Sequence, residues 1–342
     1  MKKSETYDLK LLDIKRQLDE LIFWKNGIVH TFNSLSKQID DLMWHFEIDD
    51  IADWRKVRFT GPPPSEYSYN IIKDMGGPFS AKPEPQDRVI IYAYTFYPKE
   101  LDEDKKYPLI VLIHGGIHGD FNSSNAGYVR DLIEQGYIVI APEYRGSIGY
   151  GAVFYDLIDY GGLEINDSHA ARDWMVENCS LVDTDRIGIM GYSHGGFHTL
   201  LNIFRFPKDY TAAYAGVPVS DLVSRLSYRW KGSPDDMGRN YGGKSPRDDI
   251  NEYRRRSPAW NADKLEIPLL IHTNTNDRDV PIIEVENLIA HLKAAGKDFK
   301  YKIYKEAPGG HVFERLDTPI ALEARLEAYR FLAKYLKPEN PL

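Results

Sequence analysis

The pattern of apolar and polar positions sets the first part of the 342-residue chain apart from the rest. Residues 4 to about 50 carry apolar side chains at steps of three and four, which is the period of an amphipathic helix. Asn26-Gly27 divides this stretch, so it predicts either one helix or a helical hairpin. The apolar stripe would pack on the main domain, cover a site as a lid, or mediate dimerisation. It consists of Leu11, Ile14, Leu18 and Leu21, followed by Ile28, Phe32, Leu35, Ile39, Leu42 and Phe46.

A proline-rich stretch, Gly61-Pro62-Pro63-Pro64-Ser65, follows the helical part and indicates a linker, because proline fixes φ and lacks the amide proton. The pattern therefore predicts a helical extension over residues 1–60, an irregular linker over 61–87 and a main domain over 88–342.

The main domain alternates between strand and helix patterns. Residues 89–97 alternate in polarity and predict an edge or hairpin strand. Continuous apolar runs predict strands buried on both faces at 108–113, 137–141, 186–190, 212–219 and 268–272, and a last alternating strand lies at 300–304. Helical patterns fall near 124–135, 164–178, 195–206, 282–295 and 319–336. This alternation predicts an α/β domain whose mostly parallel sheet has helices on both faces.

Composition excludes several classes of protein. The formal net charge of −8 argues against a nucleic acid or an anionic membrane as partner. No apolar run approaches the ~18 residues of a membrane span, and the amino terminus has no signal-peptide pattern. Cys179 is the one cysteine, which permits no internal disulfide and is typical of a cytoplasmic protein.

One short stretch carries the strongest chemical signal. Gly191, Ser193 and Gly195 match the G-x-S-x-G nucleophile elbow, between a predicted strand and a predicted helix. The serine of such an elbow is held in a strained turn with its hydroxyl clear of the sheet, and the glycines avoid collisions with the crossing elements. Ser193 is therefore the candidate nucleophile.

A serine nucleophile needs donors for the oxyanion, a base and an acid. His114-Gly115-Gly116 follows a buried strand, so the amides of Gly116 and His194 are the candidate oxyanion hole. A metal at His114 and His118 is not predicted, because the sequence offers no evident third ligand.

The candidate base and acid follow later strands. His311 lies in the glycine loop after the last strand, and its ordinary pKa near neutrality suits a general base. Asp277 and Asp279 compete for the acid on the loop after strand 268–272. Serine, aspartate and histidine then stand in the chain order of α/β-hydrolases.

From about Val89 to Leu336 these residues resemble the catalytic domain of the prolyl oligopeptidase family of serine peptidases. Tyr144-Arg145-Gly146-Ser147-Ile148-Gly149-Tyr150-Gly151 resembles a loop of that family. The resemblance implies an α/β-hydrolase fold, and it favours Asp277 because the family's aspartate stands three residues before a valine, as Asp277 does before Val280. Family members carry a β-propeller, for which the helical first ~85 residues are too few.

The predicted function is hydrolysis through an acyl-enzyme, without cofactor or metal. A carboxylesterase acting on small or aromatic esters is favoured over a peptidase of the prolyl oligopeptidase type, because an ester has the better leaving group. A non-catalytic binding protein on the same fold is the remote alternative. The predicted partner is a small ester or short peptide, and oligomerisation through the first helices stays open, as does a lid formed by 4–50 or 220–262. Candidate pocket residues are Tyr150, Phe154, Tyr155 and Trp230.

Overall fold

The computed structural model describes residues 2–73, 75, 84–228, 238 and 240–342, with side chains from residue 12 onward. Eight strands form one sheet. In chain order they are β1 Ala52–Thr60, β2 Ile90–Pro98, β3 Tyr107–Ile113, β4 Ile138–Glu143, β5 Val182–Tyr192, β6 Ala212–Gly216, β7 Leu269–Asn274 and β8 Lys300–Tyr304. Their spatial order is β1-β2-β4-β3-β5-β6-β7-β8. The pairs β1–β2 and β2–β4 are antiparallel, and every other pair is parallel.

Helices connect the strands and cover the sheet. They are α1 Lys2–Ile48, α2 Glu66–Ile72, α3 Ala126–Glu134, α4 Gly151–Asp156, α5 Leu163–Asn178, α6 His194–Arg205, α7 Leu222–Arg225, α8 Ile250–Arg255, α9 Ile282–Ala294 and α10 Pro319–Leu336. All five helices predicted in the main domain are present, at bounds close to those expected.

The core lies on both faces of the sheet. In β3, Leu109 and Val111 join a cluster with α5, α6 and α9, whereas Ile110 and Leu112 join a second cluster with α3 and α10. Successive side chains of a strand point to opposite faces, so a strand covered on both sides needs an uninterrupted apolar run. The predicted sheet with two covered faces is confirmed.

The structure decides one open question for the first 90 residues and corrects two expectations. Of the two alternatives for residues 2–48, the structure has one helix, because Gly27 continues it in an open environment where a single glycine costs only about 1 kcal/mol. Residues 52–60, expected to be helical, form the edge strand β1, and β2 is consequently an interior strand. The expected irregular linker contains α2, whose first turn is capped by Ser65.

Strand β1 escaped detection because most of its side chains are exposed or only partly buried. Ala52 and Phe59 are its buried residues, so it carries too few apolar positions to show a strand period. Within the described residues, the part that precedes the main domain is a helix, a strand and a short helix, and it contains no propeller blade.

The second half of α1 is docked on the main domain. The Trp44 indole is fully buried and stacks on Phe121 with ring centroids 5.5 Å apart. Lys37 is also buried, and its ammonium contacts the Glu143 carboxylate at the end of β4 at 2.6 Å. One face of this half of α1 therefore belongs to the core of the domain.

Candidate active site

Ser193 lies at the turn between β5 and α6, in a conformation that non-glycine residues rarely adopt. Its φ and ψ are 60° and −117°. A Cβ on Gly191 would come within 2.5 Å of the Gly195 backbone, and one on Gly195 within 2.2 Å of the Ile113 carbonyl oxygen. Only glycine fits these two positions, so the sequence of the elbow dictates the tight turn that presents the serine hydroxyl.

The structure brings the three predicted side chains into one hydrogen-bonded chain. The Ser193 hydroxyl lies 2.8 Å from His311 Nε2, and His311 Nδ1 lies 2.6 Å from an Asp277 carboxylate oxygen. The imidazole can therefore accept the serine proton at one nitrogen while it donates a hydrogen bond from the other.

The loop that follows β7 holds the Asp277 carboxylate in place. Its second oxygen accepts hydrogen bonds from the amides of Asp279 and Val280, each at 2.8 Å. The Asp277 side chain is fully buried. Of the two aspartates considered, the structure thus places Asp277 against His311, while the Asp279 amide helps to orient it.

The two residues predicted to supply the oxyanion amides, Gly116 and His194, both line the cleft beside Ser193. Gly116 has a φ of +80°, a conformation that favours glycine, and its carbonyl accepts a 2.6 Å hydrogen bond from the Tyr144 hydroxyl. This bond fixes the orientation of the peptide groups in the loop after β3. Preorganised amides of this kind are what a developing oxyanion requires.

A buried carboxylate that the sequence analysis missed contacts the helix that begins directly after Ser193. Glu164 of α5 lies 3.2 Å from Nε2 of His194 and 3.4 Å from Nε2 of His198, and it accepts a 2.8 Å hydrogen bond from the Gly161 amide. Burial alone would raise the pKa of Glu164, but the two imidazoles lower it below its usual range. Burial lowers the pKa of His198 to about 4, so this ring is neutral at pH 7.

Glu164, His194 and His198 also have the composition of a metal site, with ligand atoms within 4.8 Å of one another. The rings of Tyr144, Tyr160 and Phe197 pack against the two histidines. Nδ1 of His198 lies 2.8 Å from the Ser168 hydroxyl, whereas one Glu164 oxygen, both ring nitrogens of His194 and His198 Nε2 form no hydrogen bond within the described residues. The Glu164 carboxylate therefore contacts the residue after the nucleophile, but the trio is not fully hydrogen-bonded.

A second buried cluster joins α1 to the oxyanion loop. Glu143 accepts a 3.1 Å hydrogen bond from the Phe121 amide, contacts Lys37 at 2.6 Å and lies 3.3 Å from His114 Nε2. Burial would raise the pKa of Glu143, but the Lys37 ammonium and His114 lower it to about 2. No sequence signal points to this cluster, since its members are far apart along the chain.

The cleft around Ser193 has a volume of about 580 Å³ and differs in its lining from the predicted pocket. Its apolar wall includes Val217, Val219, Tyr160 and Tyr241, and its polar groups include Asp120, Arg225 and Arg315. Arg225, Asn240 and Tyr241 come from the segment 220–262 that was considered as a lid. Val217 shares the unusual positive φ of Ser193, at 40°.

The predicted pocket residues lie elsewhere. Tyr150 stacks on Tyr92 with centroids 4.3 Å apart, and Phe154 is buried in the core, so both have packing roles. Tyr155 stacks on His118 and lines a neighbouring cavity of about 430 Å³. Trp230 lies outside the described residues. The aromatic side chains expected near the site at 150–155 therefore do not line the cleft, because they pack on the core, on β2 and on α1 instead.

Comparison with known proteins agrees with the geometry. A family model described as "Prolyl oligopeptidase family" matches residues 123–339, which is more than half of the chain. The chain belongs to the prolyl oligopeptidase family. The prediction of a serine hydrolase catalytic domain of this family is thereby confirmed.

Individual relatives are peptidases. Dipeptidyl aminopeptidase BIII of Pseudoxanthomonas mexicana is 28% identical over 264 residues, which cover 73% of this chain and 37% of that protein. Acylamino-acid-releasing enzyme 1 of rice (Oryza sativa subsp. japonica) is 29% identical over 226 residues, covering 62% of this chain and 28% of that protein. The chain thus spans about a third of the length of these relatives.

Solved structures share the fold. The acylaminoacyl peptidase of Pyrococcus horikoshii superimposes with a TM-score of 0.66 at 21% identity, covering 87% of this chain and 45% of that one. The predicted α/β-hydrolase fold is confirmed. In the described part of the chain, no helix is both long and apolar enough to cross a membrane.

Proposed function

We propose that this protein is a serine peptidase that cleaves short peptides through an acyl-enzyme. The observation that carries the proposal is the hydrogen-bonded chain from Ser193 through His311 to Asp277, with distances of 2.8 and 2.6 Å. A serine hydroxyl in such a chain is activated, because its proton has an acceptor that is already oriented.

The proposed reaction has two halves. The Ser193 oxygen attacks the carbonyl carbon while His311 takes the serine proton, and the amides of Gly116 and His194 bind the oxyanion. His311 then returns the proton to the leaving amine, and the C–N bond breaks to leave an ester on Ser193. Water, deprotonated by His311, attacks this ester and releases the acid. Asp277 stays ionised throughout and stabilises the imidazolium.

The peptidase is favoured over the carboxylesterase that the sequence alone suggested. The relatives reported above are named as peptidases, and the cleft has charged groups at which a peptide can be held. Arg225 Nη1 pairs with the buried Glu284 at 2.7 Å, and Asp120 and Arg315 lie along the same cleft. A carboxylesterase needs no such groups to hold a small ester, although the acyl-enzyme would form in the same way.

Matched substrates separate the two activities. Purified protein would be assayed with aminoacyl and dipeptidyl p-nitroanilides, each with a free and an acetylated amino terminus, and with p-nitrophenyl acetate and butyrate. We expect turnover of at least one anilide, and its loss in Ser193→Ala. Ser124→Ala, which removes a different hydroxyl that lines the cleft, is the control and should retain activity. Turnover of the esters without any anilide would favour the carboxylesterase instead.

The free and acetylated substrates also distinguish types of peptidase. A preference for the free amino terminus would indicate an aminopeptidase, and a preference for the acetylated one an acylaminoacyl peptidase. Equal rates would indicate an oligopeptidase that does not recognise the amino terminus.

A further inference from the structure

Helix α1 presents a long row of exposed apolar side chains, which we name the open stripe. Its members are between 49% and 80% exposed; they are Ile14, Leu18, Leu21, Ile28, Phe32, Leu35, Ile39, Leu42 and Phe46. Of the 23 large apolar side chains that are exposed in the described part of the protein, 15 lie on α1. A soluble domain rarely leaves so large a contiguous apolar surface uncovered, so the open stripe indicates an interaction site.

The main domain cannot cover the open stripe, because it already holds the opposite side of α1. On that side α1 contacts the main domain through five residues, which we name the body stripe: Lys37, Asp40, Asp41, Trp44 and Ile48. Towards the amino terminus the contacts become few: residues 12–29, which we name the free half of α1, are all exposed, and only Asn26 and Val29 among them line the cavity beside Tyr155. Among the described residues, no part of the chain covers the open stripe of the free half.

The spacing of the open stripe is that of a coiled coil. From Ile14 to Phe46 the steps alternate strictly between four and three residues, with Lys25 at the one polar position. This corresponds to positions a and d of a heptad over more than four repeats, a period of 3.5 residues. A helix that merely packs on a globular domain shows a wider apolar face with a period near 3.6.

We propose that the open stripe pairs with the open stripe of a second copy of this chain. The nine side chains present roughly 1,000 Å² on each copy, so a pair would bury about 2,000 Å², more than the ~1,600 Å² of a standard stable interface. A lipid surface is the poorer match, because α1 carries seven Lys or Arg and eight Asp or Glu residues and lacks the excess of positive charge typical of membrane-bound helices.

Lys25 selects the orientation of the pair. In a parallel pair each a residue faces its own counterpart, so two Lys25 ammonium groups would meet in the apolar seam. In an antiparallel pair a residues face d residues, and Lys25 then lies opposite Leu35 of the second copy while Ile28 lies opposite Phe32. This register also sets the free half of each α1 against the docked half of the other, so that both free halves are covered by one two-fold interface.

The pairing is tested by the mass of the full-length protein in solution, measured by light scattering over a range of concentrations. We expect twice the 39.3 kDa of one chain. Phe32→Glu places a charge at the centre of the apolar seam. It should raise the dissociation constant at least about 100-fold, at about 1.4 kcal/mol for each tenfold change. The control is Leu322→Glu on α10, which alters a side chain of similar exposure (51%) and should leave the dimer intact.

Both Phe32 and Leu322 are exposed, so neither change should unfold the domain, which circular dichroism would verify. A wild-type monomer at all concentrations would overturn the proposal, as would a dimer that Phe32→Glu leaves unaffected. Recovery of monomer that binds anionic lipid vesicles would overturn it in favour of the membrane surface.

Disulfide trapping tests the orientation in a Cys179→Ser background, which removes the one native thiol. The antiparallel register predicts that Lys25→Cys/Leu35→Cys forms a covalent dimer on mild oxidation. Each single variant should fail to do so, because its cysteine then faces a residue without a thiol: Leu35 of the second copy for Lys25→Cys, and Lys25 of the second copy for Leu35→Cys. Efficient cross-linking of Lys25→Cys alone would refute the antiparallel arrangement. None of these measurements depends on catalysis, so they stand whether or not the proposed peptidase activity is found.

Discussion

Replacing Lys37 with methionine would test how firmly α1 is tied to the main domain. The Lys37 ammonium lies 2.6 Å from the Glu143 carboxylate, and both groups are buried. Glu143 has its pKa lowered from an ordinary 4.5 to about 2, and a difference of this size corresponds to about 3 kcal/mol of stability. Methionine keeps the length of the side chain but leaves Glu143 as a buried charge without its cation, which typically costs ~3–5 kcal/mol.

The sign of the pH dependence follows from the direction of the shift. Because the pKa of Glu143 is lowered in the wild type, its contribution is present above the unfolded value near 4.5 and is lost as the pH falls through about 2. In Lys37→Met the pKa of the same carboxyl should instead rise. The destabilisation caused by the buried, unpaired Glu143 carboxylate is then greatest at neutral pH, and it decreases towards pH 5 as the carboxyl takes up a proton. The stability gap between the two proteins should therefore narrow by about 1 kcal/mol or more between pH 8 and pH 5.

Urea unfolding at one fixed protein concentration, followed by circular dichroism at both pH values, measures this gap. Lys105→Met is the control, since its contact with Glu339 is exposed and its loss should change the stability little. Lys37→Met/Glu143→Gln should recover part of the loss, because no unpaired charge is then buried. A loss below ~1 kcal/mol for Lys37→Met at pH 8 would refute the assignment of Lys37 and Glu143 as a stabilising buried pair.

Two further predictions concern the elbow and the acid. Asp277→Asn should lower kcat by about 10⁴-fold, because the amide favours the wrong tautomer of His311, whereas Asp279→Asn should change kcat less than about tenfold; steady-state assays of both variants decide between them. Gly191→Ala should cost at least ~3 kcal/mol and abolish activity, since its Cβ would lie 2.5 Å from the Gly195 backbone. Gly127→Ala in α3, where no atom lies within 4 Å of the added carbon, should instead leave the protein equally stable or up to ~1 kcal/mol more stable in the same unfolding assay.

The candidate catalytic residues could be predicted because the sequence patterns that indicate them are local. The glycines around Ser193 are required by contacts within one turn, and the buried strands show as apolar runs. His311 and Asp277 each follow a strand of a parallel sheet, and such loops meet at one edge of the sheet. The order of the three residues along the chain was therefore enough to propose their meeting, which the structure shows at hydrogen-bonding distances.

The surroundings of the site were not predictable, because they depend on contacts between distant residues. Glu164 approaches His198 from another helix, and Lys37 reaches Glu143 across more than a hundred positions. Tyr160 and Tyr241 enter the cleft from separate segments, whereas Tyr150 and Phe154 turn away from it. The continuity of α1 was left open for the opposite reason: Gly27 looks like a break in sequence, but the helix tolerates it.

Covalent labelling would show whether Ser193 is the nucleophile of a peptidase. The protein would be treated with a fluorophosphonate that reacts with activated serines, and the labelled peptide would be identified by mass spectrometry while anilide hydrolysis is followed in parallel. We expect one adduct on Ser193, formed at the rate at which hydrolysis is lost, and no adduct in Ser193→Ala. Labelling at another residue, or full labelling of Ser193 with hydrolysis unchanged, would contradict it.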